Sequence, residues 1–518
     1  MLHCAMSPFG RSVLARSTVA AAAAVVLASL FTSGPAAAAP AQESAPTAIA
    51  ASAFTPTLTY VACPVDEQLP PRTKCAALTV PLDWQTPDDG RTVNIAVRIT
   101  RAKNNPGSNG LTWNPGGPGG QVIKGHAGFY SFLPAAIRKN FDWVSFDPRG
   151  VGLSEPKLAG CTYVPDGLPP LTGPVDWDAY WTNVEATAGS AAAACFDANP
   201  DAAPYLGTWQ VVRDMDALRA SLRYDRWNYW GLSYGTRLGN TYARTFPDKL
   251  RAFIEDGAVM ANESITRFGS TTPAGDNLAV QIYASIMGKE QARKQRVILS
   301  FLNDEAEDEF NRFSWSTGIN DLLRDPSNYP TVKSSINAVY AAIVSDAPDI
   351  EQRARRAVRR VQRLAADPQS DAFLIKFINC ADMTDRPTAS QLAAMSRQAE
   401  QDYGTAYGIH VGRAAICLGL PSGYSPSSEN GDTPVSLANR ALFILATGDA
   451  GTPWSWGRSL ANTYTNSRTV TLNSTKHGSL FFTPSTCVND AGERYLLTLQ
   501  LPRTDIYCPF VKSPPPPS

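Results

Sequence analysis

The serine best placed for chemistry is Ser233, at the centre of Gly231-Leu-Ser-Tyr-Gly235. The aromatic, strand-like run Asn228-Tyr-Trp230 breaks at Gly231, and a helical pattern restarts over residues 237–246. A strand, a sharp turn and a helix form the setting in which a hydroxyl is lifted clear of a sheet edge to act as nucleophile. The pentapeptide alone is a weak signal, since a glycine-rich turn after any buried strand reads the same way. Its partners decide its meaning. A serine hydroxyl needs a base, usually histidine at neutral pH. Of four histidines, His3 falls in the signal peptide described below, which leaves His126, His410 and His477. Strand–elbow–helix serine sites on open α/β sheets run in the order serine, acid, histidine, which excludes His126. His410 sits in a helical stretch with no strand leading to it. His477 follows the strand-like run 468–472 and precedes Gly478, so it is the expected base. The acid that orients the imidazole is expected at Asp449, after the apolar run 441–447 and before Gly451-Thr-Pro453, with Asp432 as second choice. A turn aspartate would look the same there.

An acyl-transfer site also needs two N–H donors for the tetrahedral oxyanion. One is expected from the backbone of Tyr234, directly after the nucleophile. The other is expected from Asn114-Pro-Gly-Gly-Pro-Gly-Gly120, where glycines let the backbone approach a ligand, with Gly117 the chosen residue. This run lacks the Gly-Lys-Ser/Thr ending and the Gly-x-Gly-x-x-Gly spacing of phosphate-binding loops.

These residues need a sheet to hold them. Residues 75–84 and 91–102 alternate apolar and polar positions about a turn at 86–90 and read as an antiparallel hairpin. Short buried strands follow at 110–113 and 142–146, the latter ending in Asp147-Pro-Arg-Gly-Val-Gly-Leu-Ser154. Val211, Val212, Met215, Leu218 and Leu222 form a helical stripe, and 251–259 a further strand. Strands alternating with helices predict an α/β fold, a mostly parallel sheet with helices on both faces. From 262 to 433 the rhythm turns largely helical, a cap insertion, before the sheet resumes at 440–447 and 468–472. The arginine-rich run 350–366 reads as the solvated face of an amphipathic helix. The expected organisation is a signal peptide at 1–39, a flexible leader or short pro-segment at 40–60, a first core part at 61–261, the cap at 262–433, a second core part at 434–512 and a proline tail at 513–518.

The 518 residues carry 46 Lys+Arg against 46 Asp+Glu, so no net field favours nucleic acid or an anionic membrane. Arg11 and Arg16, an apolar run at 19–30 and the small residues at 36–39 predict export with cleavage after Ala39. No run is long enough to span a bilayer comfortably, so no membrane contact is expected once the signal is removed. Removing the signal removes Cys4 and leaves eight cysteines: Cys63, Cys75, Cys161, Cys195, Cys380, Cys417, Cys487 and Cys508. An even number in an exported chain predicts disulfides, here expected to pair in sequence order, and neither a metal nor a cofactor is expected.

Taken together, Asn114-Pro-Gly-Gly-Pro-Gly119, Asp147-Pro-Arg-Gly-Val-Gly-Leu-Ser154, Gly231-Leu-Ser-Tyr-Gly-Thr236, Tyr242-Ala-Arg-Thr-Phe-Pro247 and the Cys487…Cys508 tail resemble secreted actinobacterial tripeptidyl aminopeptidases. These are serine exopeptidases of the α/β-hydrolase fold related to prolyl aminopeptidases. In the cap the resemblance reaches little beyond Asn379-Cys-Ala-Asp382. It implies release of tripeptides or other short units from peptides with a free N-terminus, through an acyl-enzyme, outside the cell. Three departures bear on substrate preference: Gly448-Asp-Ala-Gly-Thr-Pro453 in place of Leu-Asp-Pro-x-Thr-Pro, Gly120-Gln121 in place of Gly-Ser, and Lys476 in place of a glycine before the histidine. An exopeptidase must also recognise an ammonium, for which Glu255, Asp256 and Asp382 are candidates. The alternatives are an exported esterase or amidase acting on small acyl compounds, and a non-catalytic binding protein that keeps the fold.

Overall fold

The computed structural model describes residues 54–64, 68–165, 167, 174–304, 312–344, 372–428 and 431–512. The expected signal peptide, most of the leader, the run 350–366 and the proline tail lie outside the described residues.

Ten strands form one sheet in the order β1-β2-β3-β5-β4-β6-β7-β8-β9-β10. β1 (Thr57–Val61), β2 (Thr73–Pro81) and β3 (Thr92–Thr100) make an antiparallel edge that joins β5 (Asp142–Phe146). From β5 through β4 (Gly110–Asn114), β6 (Trp227–Leu232), β7 (Leu250–Asp256), β8 (Leu442–Ala446), β9 (Arg468–Leu472) and β10 (Ile506–Cys508), every pairing is parallel. The central strands β4, β5 and β8 are buried along their whole length, as befits a parallel sheet covered on both faces.

The period of two assigns their side chains to two layers. Tyr229, Phe253, Phe443 and Leu445 join α5 (Thr208–Ser221) and α6 (Tyr234–Thr245) on one face. Trp113, Trp230, Ile254 and Ile444 join α1 (Val122–Phe132) and α2 (Ala135–Asn140) on the other.

Two expectations about organisation need correction. Residues 57–60, expected in the flexible leader, belong to β1, which pairs with β2. β1 is short and largely exposed, as an edge strand is, and the Cys63–Cys75 bridge ties the chain just past it to the β2 residue that pairs with Val61. The second concerns the cap. Besides α7 (Ile265–Met287), α8 (Lys289–Asp304), α9 (Arg312–Leu323), α10 (Tyr329–Val344), α11 (Ala372–Asp382) and α12 (Ala389–Tyr403), it recruits α3 (Trp177–Val184) and α4 (Ser190–Asp197). Trp177 and Trp181 of α3 share a core with Leu392 and Ala393 of α12, and the Trp181 indole N–H donates to Ser396 Oγ at 2.9 Å. Helical periodicity shows that such a segment buries a face but not which layer receives it.

Candidate active site

Ser233 follows the last residue of β6 with φ 58° and ψ −127°, a left-handed conformation that non-glycine residues avoid. The flanking glycines make the turn possible. A Cβ on Gly231 would lie 2.5 Å from Gly235 O, and a side chain on Gly235 would collide with Asn114 O. The Ser233 N–H donates to Asp256 O at 3.1 Å, which ties the elbow to the end of β7.

His477 and Asp449 meet as the sequence predicts they should. His477 Nδ1 is 2.9 Å from both carboxylate oxygens of Asp449. Asp449 Oδ1 also accepts the N–H groups of Gly451 (2.7 Å) and Thr452 (3.0 Å). The Thr452 hydroxyl lies 3.1 Å from Asp449 Oδ2 and donates to Gly257 O at 2.7 Å. With Nδ1–H directed at the carboxylate, Nε2 is left as the acceptor. Gly451 is required here, since a Cβ would stand 2.5 Å from His477 Nδ1. Arg413 from the cap holds the same acid loop, donating to Gly451 O at 2.7 Å and Ala450 O at 3.3 Å. Burial pushes its guanidinium down to about 10, which leaves it cationic at neutral pH.

The base loop and the elbow are joined through β7. The Asp256 carboxylate accepts the N–H groups of Ser479 (2.9 Å) and Leu480 (2.8 Å), while its carbonyl takes that of Ser233. Gly478 packs so closely on Leu232 that a side chain there would collide. The loop after β4 closes the other side: a Cβ on Gly116 would lie 2.7 Å from Ser233 Cβ and 3.1 Å from Tyr234 N. The Gly116 N–H is engaged by Asn114 Oδ1 at 2.9 Å, and Gly117 follows at φ 111°.

The three carboxylates expected to bind an ammonium are all drawn inward instead. Glu255 points into the core against Gly239 of α6, both oxygens lack a hydrogen-bond partner among the described residues, and burial raises its carboxyl well above the ordinary range. Asp256 is consumed by the clamp just described. Burial pushes it up to about 6, against the lowering effect of the two N–H donors. Asp382 is buried and accepts Thr208 N (2.7 Å), Thr208 Oγ1 (2.6 Å) and Arg237 Nη1 (3.1 Å). Sequence reasoning missed Arg237, which also makes a bidentate pair with Glu263 at 2.7 and 3.0 Å and binds Asn379 Oδ1 at 2.8 Å. Its visible signal was the Asn379-Cys-Ala-Asp382 motif. The clamp at Asp256 and the Thr452 contacts were legible only as Asp-x-x-Thr-Pro and a strand-end acid.

The other two histidines among the described residues are buried in polar contacts of their own. His126 is fully buried between Thr100 Oγ1 and Ser145 Oγ, each at 2.8 Å, and burial, with a smaller effect from Arg98, pushes it down to about 3. His410 lies 2.6 Å from Asp276 Oδ2 and 2.9 Å from Ser316 Oγ, the three side chains buried inside the cap. Asp432 is exposed. Among the described residues no group of three or more His, Cys, Asp or Glu could hold a metal ion, and no helix is long and apolar enough to cross a membrane.

The sheet, the strained serine and the Asp–His pair define an α/β-hydrolase-fold serine hydrolase. Residues 113–281 match the family model for the alpha/beta hydrolase fold, and residues 406–508 match that for TAP-like proteins. The chain has the α/β-hydrolase fold, and its C-terminal part is similar to TAP-like proteins. It is 27% identical over 468 residues to serine protease Hip1 of Mycobacterium tuberculosis, covering 85% of this chain and 88% of that protein. It is 26% identical over 479 residues to tripeptidyl aminopeptidase of Streptomyces lividans (86% and 85%) and 27% identical over 463 residues to carboxylesterase B of M. tuberculosis (84% and 86%).

Proposed function

We propose that the chain is an exported serine exopeptidase that releases tripeptides or other short units from free peptide N-termini. The observation that carries this reading is Ser233 at φ 58°, joined through Asp256 to the loop carrying the Asp449-bound His477. In this reading His477 Nε2 takes the Ser233 hydroxyl proton as the oxygen attacks the scissile carbonyl. The oxyanion is received by the N–H of Tyr234 and by that of Gly117, since the Gly116 amide is already engaged by Asn114. Protonated His477, stabilised by Asp449, gives its proton to the leaving amine. Water activated by the same imidazole then releases the acyl group as the peptide product. Four disulfides fit an oxidising compartment outside the cell. The named peptidase relatives support peptide substrates; because Glu255, Asp256 and Asp382 are buried, this reading assigns the substrate amine to another group.

The carboxylesterase relative favours a second reading, hydrolysis of small esters by the same groups. A comparison of a tripeptidyl anilide with a free amine, the same anilide N-acetylated and a short-chain aryl ester separates the two. The exopeptidase reading predicts that acetylation abolishes turnover. Equal rates on both anilides would refute recognition of the amine, and activity confined to the ester would favour the esterase.

A further inference from the structure

Lys476 directly precedes His477, and the mechanism above gives it no part. Its Nζ lies 2.6 Å from Asp325 Oδ2, in the segment that joins α9 to α10 of the cap. The contact is one of four in succession. Thr475 Oγ1 donates to Leu323 O and receives the Tyr329 hydroxyl at 2.8 Å. The His477 backbone N–H donates to Arg324 O at 2.8 Å. Asp325 is fixed in turn by accepting the Ser327 N–H at 2.9 Å. Burial works against its ionisation, yet the Lys476 charge and these hydrogen bonds hold its carboxyl below the ordinary value. Residues 475–477 are therefore gripped on one side by Leu323, Arg324, Asp325 and Tyr329 of the cap, while Asp256 grips Ser479 and Leu480 from the sheet.

We propose that Lys476 and Asp325 are positioning residues that lock the base loop of this chain against its cap, so that the cap sets the aim of the His477 imidazole. The inference rests on His477 acting as base. A glycine at 476 supplies no side chain for such a lock. The pair is partly exposed, with 14% of the Lys476 and 43% of the Asp325 side chain accessible, and such pairs add little to global stability. Its effect should appear in catalysis, where displacement of a catalytic group by about 1 Å can cost up to about a hundredfold in rate.

The test is steady-state kinetics and labelling by a fluorophosphonate on the purified enzyme and on Lys476→Met, Asp325→Asn, the double variant, Lys476→Arg and the charge reversal Asp325→Lys/Lys476→Asp. Each single neutral variant should lower kcat by about tenfold and slow labelling in proportion, with KM held within about twofold. The double variant should be no worse than either single one. Lys476→Arg and the charge reversal should recover most of the loss, and thermal midpoints should stay within about 3 °C of wild type. Wild-type kcat in both single variants, multiplying losses in the double variant, or a reversal as slow as the single variants would overturn the lock. Ser233→Ala in the same assay separates the layers. Full activity there defeats the catalytic reading itself, whereas an inactive Ser233→Ala beside a normal Lys476→Met defeats the lock alone.

Discussion

Glu255 and Asp256 are neighbours on β7, and the pleat sends them to opposite sides of the sheet. Glu255 lies among Tyr229, Phe253 and Gly239, while Asp256 reaches the base loop. Burial without partners keeps the Glu255 carboxyl protonated far above its ordinary value of 4.5. The unfolded chain releases that proton near 4.5 and the folded chain keeps it, so its contribution to stability is full below 4.5 and is lost as pH rises toward the folded value. Glu255→Gln should therefore match wild type in thermal midpoint near pH 4.5. It should exceed wild type increasingly at higher pH, by up to about 1.4 kcal/mol per pH unit until the folded group titrates. Midpoint curves that stay parallel across pH 5 to 9 would show that Glu255 is ionised in the fold. The misreading of these acids is instructive. Position at a strand end puts a carboxylate at the rim of the sheet, but which way it points depends on the pleat. Whether it is free depends on a cation such as Arg237, distant in sequence from Asp382. The Ser233 elbow and the Asp449–His477 contact were legible because the expected chemistry restricts residue type, order and flanking glycines together.

At the scale of elements, the end of β7 is the joint of the site. Its carbonyls at Asp256 and Gly257 take the Ser233 N–H and the Thr452 hydroxyl, and its Asp256 carboxylate takes two N–H groups of the base loop. Asp256→Ala would strand the Ser479 and Leu480 donors in a buried place, at about 1–3 kcal/mol for each unmet group. It should also let the His477 loop relax. Circular-dichroism melts should show a destabilisation of about 2–6 kcal/mol, and kcat should fall by more than about tenfold with KM little changed. A variant as active and stable as wild type would remove Asp256 from the joint. The buried parallel strands and the hairpin were readable from apolar runs and alternation. β1 was not, because five residues are too short a run to signal a strand alone and its order comes from pairing with β2 and from the Cys63–Cys75 bridge. The assignment of α3 and α4 to the cap was invisible for the same kind of reason, since it rests on contacts such as Trp181 with Ser396.

For the whole molecule, the four bridges pair Cys63–Cys75, Cys161–Cys195, Cys380–Cys417 and Cys487–Cys508, the sequence-order pairing. The Cys380–Cys417 bridge spans 37 residues and closes the part of the cap that carries Asp382 and Arg413, the residues binding the cap to α6 and to the acid loop. Chain entropy assigns a loop of that length about 4 kcal/mol. The double variant Cys380→Ser/Cys417→Ser should melt earlier by that order and lose activity before the sheet unfolds, as read by activity and circular dichroism along one temperature ramp. Coincident losses at the wild-type midpoint would show that the cap does not depend on the bridge. All of these effects presuppose that Ser233 is the nucleophile aimed by His477. The most direct measurement is mass spectrometry of the tryptic peptide from Trp227 to Arg237, which contains Ser233 as its one serine, after exposure to a fluorophosphonate. A single adduct on Ser233, formed in step with loss of activity and slowed by several orders of magnitude in His477→Ala, is the predicted result. An adduct on another residue, or hydrolysis that survives in Ser233→Ala, would contradict it.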